Sequence, residues 1–135
     1  MTVAIAHQAS STARTLALHE AAREARMRGT DLAVLHLVET LDLDLEDAYR
    51  HSLTDEIESA LAHVGATDVP WKLHLDTAPE DVAKSLLDLA GRVGAGLLVI
   101  GARRRSPVGK FLLGSVTQTL ILDAEVPVLV VKSDL

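Results

Sequence analysis

The chain has 135 residues, a formal net charge of −6 and 48% hydrophobic residues, enough apolar material for the core of one domain over residues 1–135. The sequence contains no cysteine, which excludes disulfides, thiolate metal sites and thiol catalysis. The acidic balance argues against general nucleic-acid binding, and the longest apolar runs fall far short of the ~20 residues that a membrane span needs.

The opening residues, MTVAIAHQASS, lack a basic segment followed by a long apolar one, so no secretory leader is expected and the chain reads as cytoplasmic. Thr2 to Ala6 is short, apolar and β-prone, and a polar loop, HQASST, follows it. Ala13 to Gly29 reads as a helix with Leu16, Ala17, Ala21 and Ala25 near one face and Gly29 as its stop. Asp31 to Glu39 is the second strand, and LDLDLED is an acidic loop. A second helix runs from about Glu46 to Val64, with Leu53, Ile57, Leu61 and Val64 on one stripe and Gly65 at its end. Trp71 to Asp76 alternates as a third strand. Thr77 and Glu80 then have the spacing of a capping box, with Pro79 in the first turn of a helix through Val82, Leu86, Leu87 and Ala90. Ala95 to Ala102 is continuously apolar, as buried parallel strands are. Gly114 to Ala124 is a helix and Val126 to Lys132 the last strand. Strands alternating with helices predict an α/β fold, an open parallel sheet with helices on both faces. With one Phe, one Tyr and one Trp in the chain, Ala, Val and Leu must fill the core.

The functional question concentrates in VIGARRRSPVGKFLLGSV, where three arginines in a row interrupt an acidic protein. A phosphate-binding P-loop is excluded: Gly109-Lys110 is present, but Arg104 stands where the first glycine belongs and Phe111 where Ser or Thr belongs. A dinucleotide fingerprint is excluded because HQASST contains no glycine, and no Ser-Gly-Gly-x-Asp-Ser loop is present. What remains is Gly101 at a strand end, a basic loop, and Gly114-Ser115 opening a helix. A glycine at a strand end allows close backbone approach, and a helix N-terminus favours an anion. Ser115 can donate to a phosphate oxygen, and Arg103, Arg105 and Lys110 add positive charge. The same residues can equally serve only to start helices, Ser115 with Gln118 and Ser106 with Pro107.

This arrangement resembles the universal stress protein family, whose nucleotide-binding members carry Gly-x2-Gly-x9-Gly-(Ser/Thr) here. Gly101, Gly114 and Ser115 match that spacing, Arg104 replaces the second glycine, and the ending GSVTQTLILDAEVPVLVV is of the family type. The resemblance implies strand order 3-2-1-4-5, which puts the loop after strand one and the arginine loop on the two lips of one crevice. It implies a site for ATP or another adenine nucleotide, with phosphates on Gly101, Gly114, Ser115 and Val116. Arg103, Arg104 or Arg105 would lie outside them, and the adenine near Ala6 and His7. Relatives of the nucleotide-binding type carry an Asp just after strand one. This chain has Ala6, His7 and Gln8 there, and no carboxylate before Glu20.

Among the six histidines, His7, His36 and His74 would lie on neighbouring strands, but the spacing defines no metal site and they read as packed or surface imidazoles. The acidic run from Glu39 to Glu58 lacks the order of a calcium loop and reads as a solvated face. No general base or metal carboxylate is placed near the arginine loop, so catalysis beyond weak ATP hydrolysis is not expected. The last strand is apolar on both faces and lies at a sheet edge in the implied order. Pairing with a second copy through Val126 to Val131 would cover it and give a homodimer. The expected function is a dimeric stress-response module with an adenine-nucleotide site. The alternative is a dimeric interaction protein of the same fold without one.

Overall fold

The computed structural model describes residues 1–7, 12–103 and 114–133. Strands β1 (Thr2–Ala6), β2 (Leu32–Val38), β3 (Trp71–Thr77), β4 (Ala95–Arg103) and β5 (Val128–Ser133) alternate with helices α1 (Thr12–Arg28), α2 (Glu46–His63), α3 (Val82–Arg92) and α4 (Ser115–Asp123). The sheet has the order β3-β2-β1-β4-β5 with every neighbouring pair parallel, as expected.

The central strands β1, β2 and β4 are buried on both faces, which is why β2 and β4 read as unbroken apolar runs, whereas the edge strands β3 and β5 are only partly covered. On one face Val3, Ile5, Val34, Leu97 and Val99 pack under α1 and α2. On the other Ala4, Leu35, Leu98 and Ile100 pack under α3 and α4. Helix α1 lies on the sheet through small residues: Ala13, Ala17, Leu18, Ala21, Ala22 and Ala25 are buried. Leu16, expected on that face, is instead exposed. At 3.6 residues per turn it lies roughly 150° from the centre of the alanine stripe. Gly29 and Gly65 end α1 and α2 at φ of 64° and 67°, left-handed geometry in which a Cβ is strained.

Two helix starts differ from the sequence reading. Thr77 belongs to β3, and Ala78 still donates to the Val38 carbonyl at 2.8 Å, so the chain stays extended too long for a capping box from Thr77 to Glu80. Asp81 caps α3 instead, its carboxylate accepting the Lys84 N–H at 3.0 Å. At α4 the cap position is Gly114, so Ser115 is the first helical residue and makes no capping box with Gln118. Strand β5 begins at Val128, two residues later than expected. Pro127 before it accepts the Leu98 N–H at 3.0 Å, and Val126 packs against the core under α3 and α4. Among the described residues no helix is long and apolar enough to cross a membrane.

Candidate functional site at the carboxyl edge of the sheet

The strand order reverses between β1 and β4, which makes their carboxyl ends the switch point where open α/β sheets bind ligands. Ala6 and His7 end one side of this edge, and Gly101 to Arg103 end the other. Helix α4 follows β4 and returns to β5, which runs parallel to β4, so its N-terminus also lies at this edge.

Ala6 pairs with Leu35 and packs against the core under α3 and α4. His7 extends the ladder by one residue, its N–H donating to the Leu35 carbonyl at 2.8 Å. Its ring is fully buried and does not face open solvent. His7 Nδ1 lies 3.0 Å from His36 Nδ1, and His7 Nε2 lies 2.6 Å from Glu56 Oε2. Arg14 clasps the same carboxylate, Nη2 to Oε1 at 2.5 Å and Nε to Oε2 at 3.0 Å. His36 Nε2 is 2.6 Å from the Tyr49 hydroxyl. Burial lowers the pKa of His7, outweighing the opposing pull of Glu56. Burial, with the His7 and Arg14 charges, lowers His36 to about 4. Burial pushes the Glu56 carboxyl up, but the hydrogen bonds and charges of Arg14 and His7 outweigh it and hold it below its ordinary value. At neutral pH the cluster is therefore two neutral imidazoles, a carboxylate and a guanidinium.

On the β4 side, Gly101 is held by packing. A Cβ there would lie 2.7 Å from the Ala13 carbonyl oxygen and 3.0 Å from its carbon, in the first turn of α1. Arg103 is the last residue of β4, in register with Ser133. Arg104, Arg105, Ser106, Pro107 and Lys110 lie outside the described residues. At Gly114 a Cβ would meet nothing within 4 Å. The first bond across this helix start runs from the Gln118 N–H to the Gly114 carbonyl at 3.0 Å, so the N–H groups of Ser115, Val116 and Thr117 precede it. Gly114 has no side chain to cap them. The Val116 side chain packs into the core, and the Ser115 carbonyl accepts the Thr119 hydroxyl at 3.0 Å.

The three strand histidines separate. His7 and His36 meet on the α1/α2 face, whereas His74 pairs in register with Leu35 and so shares the opposite face. No group of three or more potential metal ligands occurs among the described residues. Sequence reasoning overlooked Arg14, Tyr49 and Glu56. The signal was there: Glu56 adjoins Ile57 on the buried stripe of α2, and Arg14 lies on the alanine stripe of α1. Glu56 is thus a structural member of an acidic run read as solvated.

The model of the universal stress protein family matches residues 1–132. The chain belongs to the universal stress protein family. A universal stress protein of Mycolicibacterium smegmatis is 37% identical over 119 residues, 86% of each chain. Among solved structures, a universal stress protein from Archaeoglobus fulgidus superposes with a TM-score of 0.71, 30% identity and 97% of both chains covered. Another from the same organism, solved in complex with dAMP, gives 0.67 and 27% identity, with 97% of this chain and 96% of that one covered. This universal stress protein is thus a stress-response protein by family, with the strand order that the resemblance implied.

Proposed function

We propose that this universal stress protein is a dimeric regulatory module that binds an adenine nucleotide at the carboxyl ends of β1 and β4. The observation that carries the reading is the start of α4, where Gly114 leaves the first helical N–H groups without a side-chain cap at the switch point. The relative complexed with dAMP supports the choice of ligand class. Phosphates would lie over Gly101 and against the N–H groups of Gly114, Ser115 and Val116, with Arg103, Arg104 or Arg105 around them. The adenine would sit by Ala6 and the backbone of His7. Calorimetric titration with AMP and with ATP tests this. At 100 times its dissociation constant a ligand stabilises the fold by ~2.7 kcal/mol, so heat and a raised melting temperature are expected. Neither at millimolar nucleotide would overturn the reading.

The second reading, an interaction module without nucleotide, is favoured by His7, whose ring is closed on Glu56 and His36. Dimerisation belongs to both. Strand β5 is a sheet edge, and Val128 to Val131 are half-buried with apolar side chains on both faces. Antiparallel pairing through Val126 to Val131 of two copies would satisfy the open backbone groups. Light scattering should then give about twice 14.4 kDa. A monomer mass at micromolar concentration would refute it.

A further inference from the structure

The hydrogen-bond polarity of the buried histidine pair follows from its two ends. Glu56 is ionised and accepts two bonds from Arg14, so His7 Nε2 must donate to it. Neutral His7 then has a bare Nδ1, which accepts from His36 Nδ1–H. His36 Nε2 is consequently bare and accepts the Tyr49 hydroxyl. Each imidazole nitrogen has one partner, and the donors all point from Tyr49 toward Glu56.

We propose that Tyr49, His36, His7 and Glu56 form a one-proton relay, which takes up a first proton by reversing its inner bonds and breaks at its centre on the second. A hydronium ion from solvent gives its proton to the Tyr49 oxygen and leaves as water, and the hydroxyl's own proton passes to His36 Nε2. The proton on His36 Nδ1 passes to His7 Nδ1. One proton is consumed and none released. His7 becomes an imidazolium beside Glu56, while His36 stays neutral in the opposite tautomer. It now donates from Nε2 to the Tyr49 oxygen and accepts at Nδ1, so no hydrogen bond is lost. A second proton puts hydrogen on both Nδ1 atoms, and their 3.0 Å contact turns from a bond into a repulsion. That contact ties the end of β1 to β2. Glu56 also joins His7 to Arg14, the residues flanking the first crevice loop in sequence.

Among the described residues the groups facing the pair are few. Arg14 comes from α1, Tyr49 and Glu56 from α2. On β3 the register partner of His36 is Leu75, and on β4 the strand neighbour of Ile5 is Val99, neither of them charged. Arg14 opposes a positive charge on His7 and Glu56 favours it. Burial keeps both histidines neutral near pH 7, so the relay acts on the acid side of neutrality. The inference does not rest on nucleotide binding.

The test is a long-range proton–nitrogen NMR correlation on the full chain labelled with ¹⁵N-histidine, followed from neutral to acid pH. His7 should begin as the Nε2–H tautomer and His36 as Nδ1–H. Through the first step His36 should switch to Nε2–H while His7 becomes the imidazolium. A His36 that keeps Nδ1–H until it is itself protonated, or that takes the first proton, overturns the relay. Glu56→Gln keeps an oxygen acceptor for His7 but removes the charge. It should lower the proton affinity of the first step about tenfold or more. An unchanged first step in a folded variant also overturns the proposal. The tautomer measurement on the unaltered chain stands if the variant does not fold.

Discussion

The two lips of the crevice are built in opposite ways. At the end of β1 the polar groups are turned inward and satisfy one another: His7, His36, Glu56, Arg14 and Tyr49 close a chain with buried members. At the start of α4 the cap is a glycine, and the N–H groups of the first turn precede any intrahelical bond. The first lip spends its polarity on cohesion, whereas the second presents donors to whatever approaches. An anion would therefore be held by the β4–α4 side, with the β1 side supplying a wall of fixed shape.

The largest way to disturb this contrast is Gly101→Val. Its Cβ would strike the Ala13 carbonyl, so the cost should reach about 3 kcal/mol, read as a lowered urea midpoint. Acid acts on the first lip through its buried histidines. An unfolded histidine takes its proton near 6.5, whereas folded His36 does so near 4, so between these values the unfolded state binds more protons. Stability present above pH 6.5 should fall by about 3 kcal/mol as pH drops to about 4, and His36→Gln should flatten that slope. Glu56→Ala leaves His7 and Arg14 facing each other without their shared carboxylate and should cost about 2 kcal/mol at neutral pH by chemical unfolding. The smallest effect on stability belongs to the second lip. Since Ser115 is not the cap, Ser115→Ala should change stability by less than about 0.5 kcal/mol while weakening nucleotide binding by calorimetry. If stability fell by ~1 kcal/mol with affinity unchanged, Ser115 would be acting as a cap after all and the contrast would fail.

The fold was legible because each element announces itself locally. Continuous apolar runs mark β2 and β4, glycines stop α1 and α2, and the alternation of strand and helix fixes a parallel sheet. The helix starts were less legible. Thr77-x-x-Glu80 has the right spacing for a cap, but strand pairing with β2 holds Thr77 extended, and that pairing is not a local property. The histidine chain was least legible, since it joins residues 29 and 49 positions apart. His7 and His36 become neighbours only through the β1–β2 register, and Glu56 reaches them only because α2 lies on that face of the sheet. Gly101 was read as room for a ligand. Its packing against α1 is invisible without the crossover that lays α1 over β4.

The chain carries a single tyrosine and a single tryptophan, and they stand in different places. Trp71 is partly buried at the edge strand β3, whereas the phenol of Tyr49 is bonded to an imidazole in the buried chain. Their ultraviolet signals are therefore separable in origin. Indole emission should report the integrity of the sheet, and phenol absorbance should respond to the bond between Tyr49 and His36. Read together, the two signals would distinguish loss of fold from a change within the intact core.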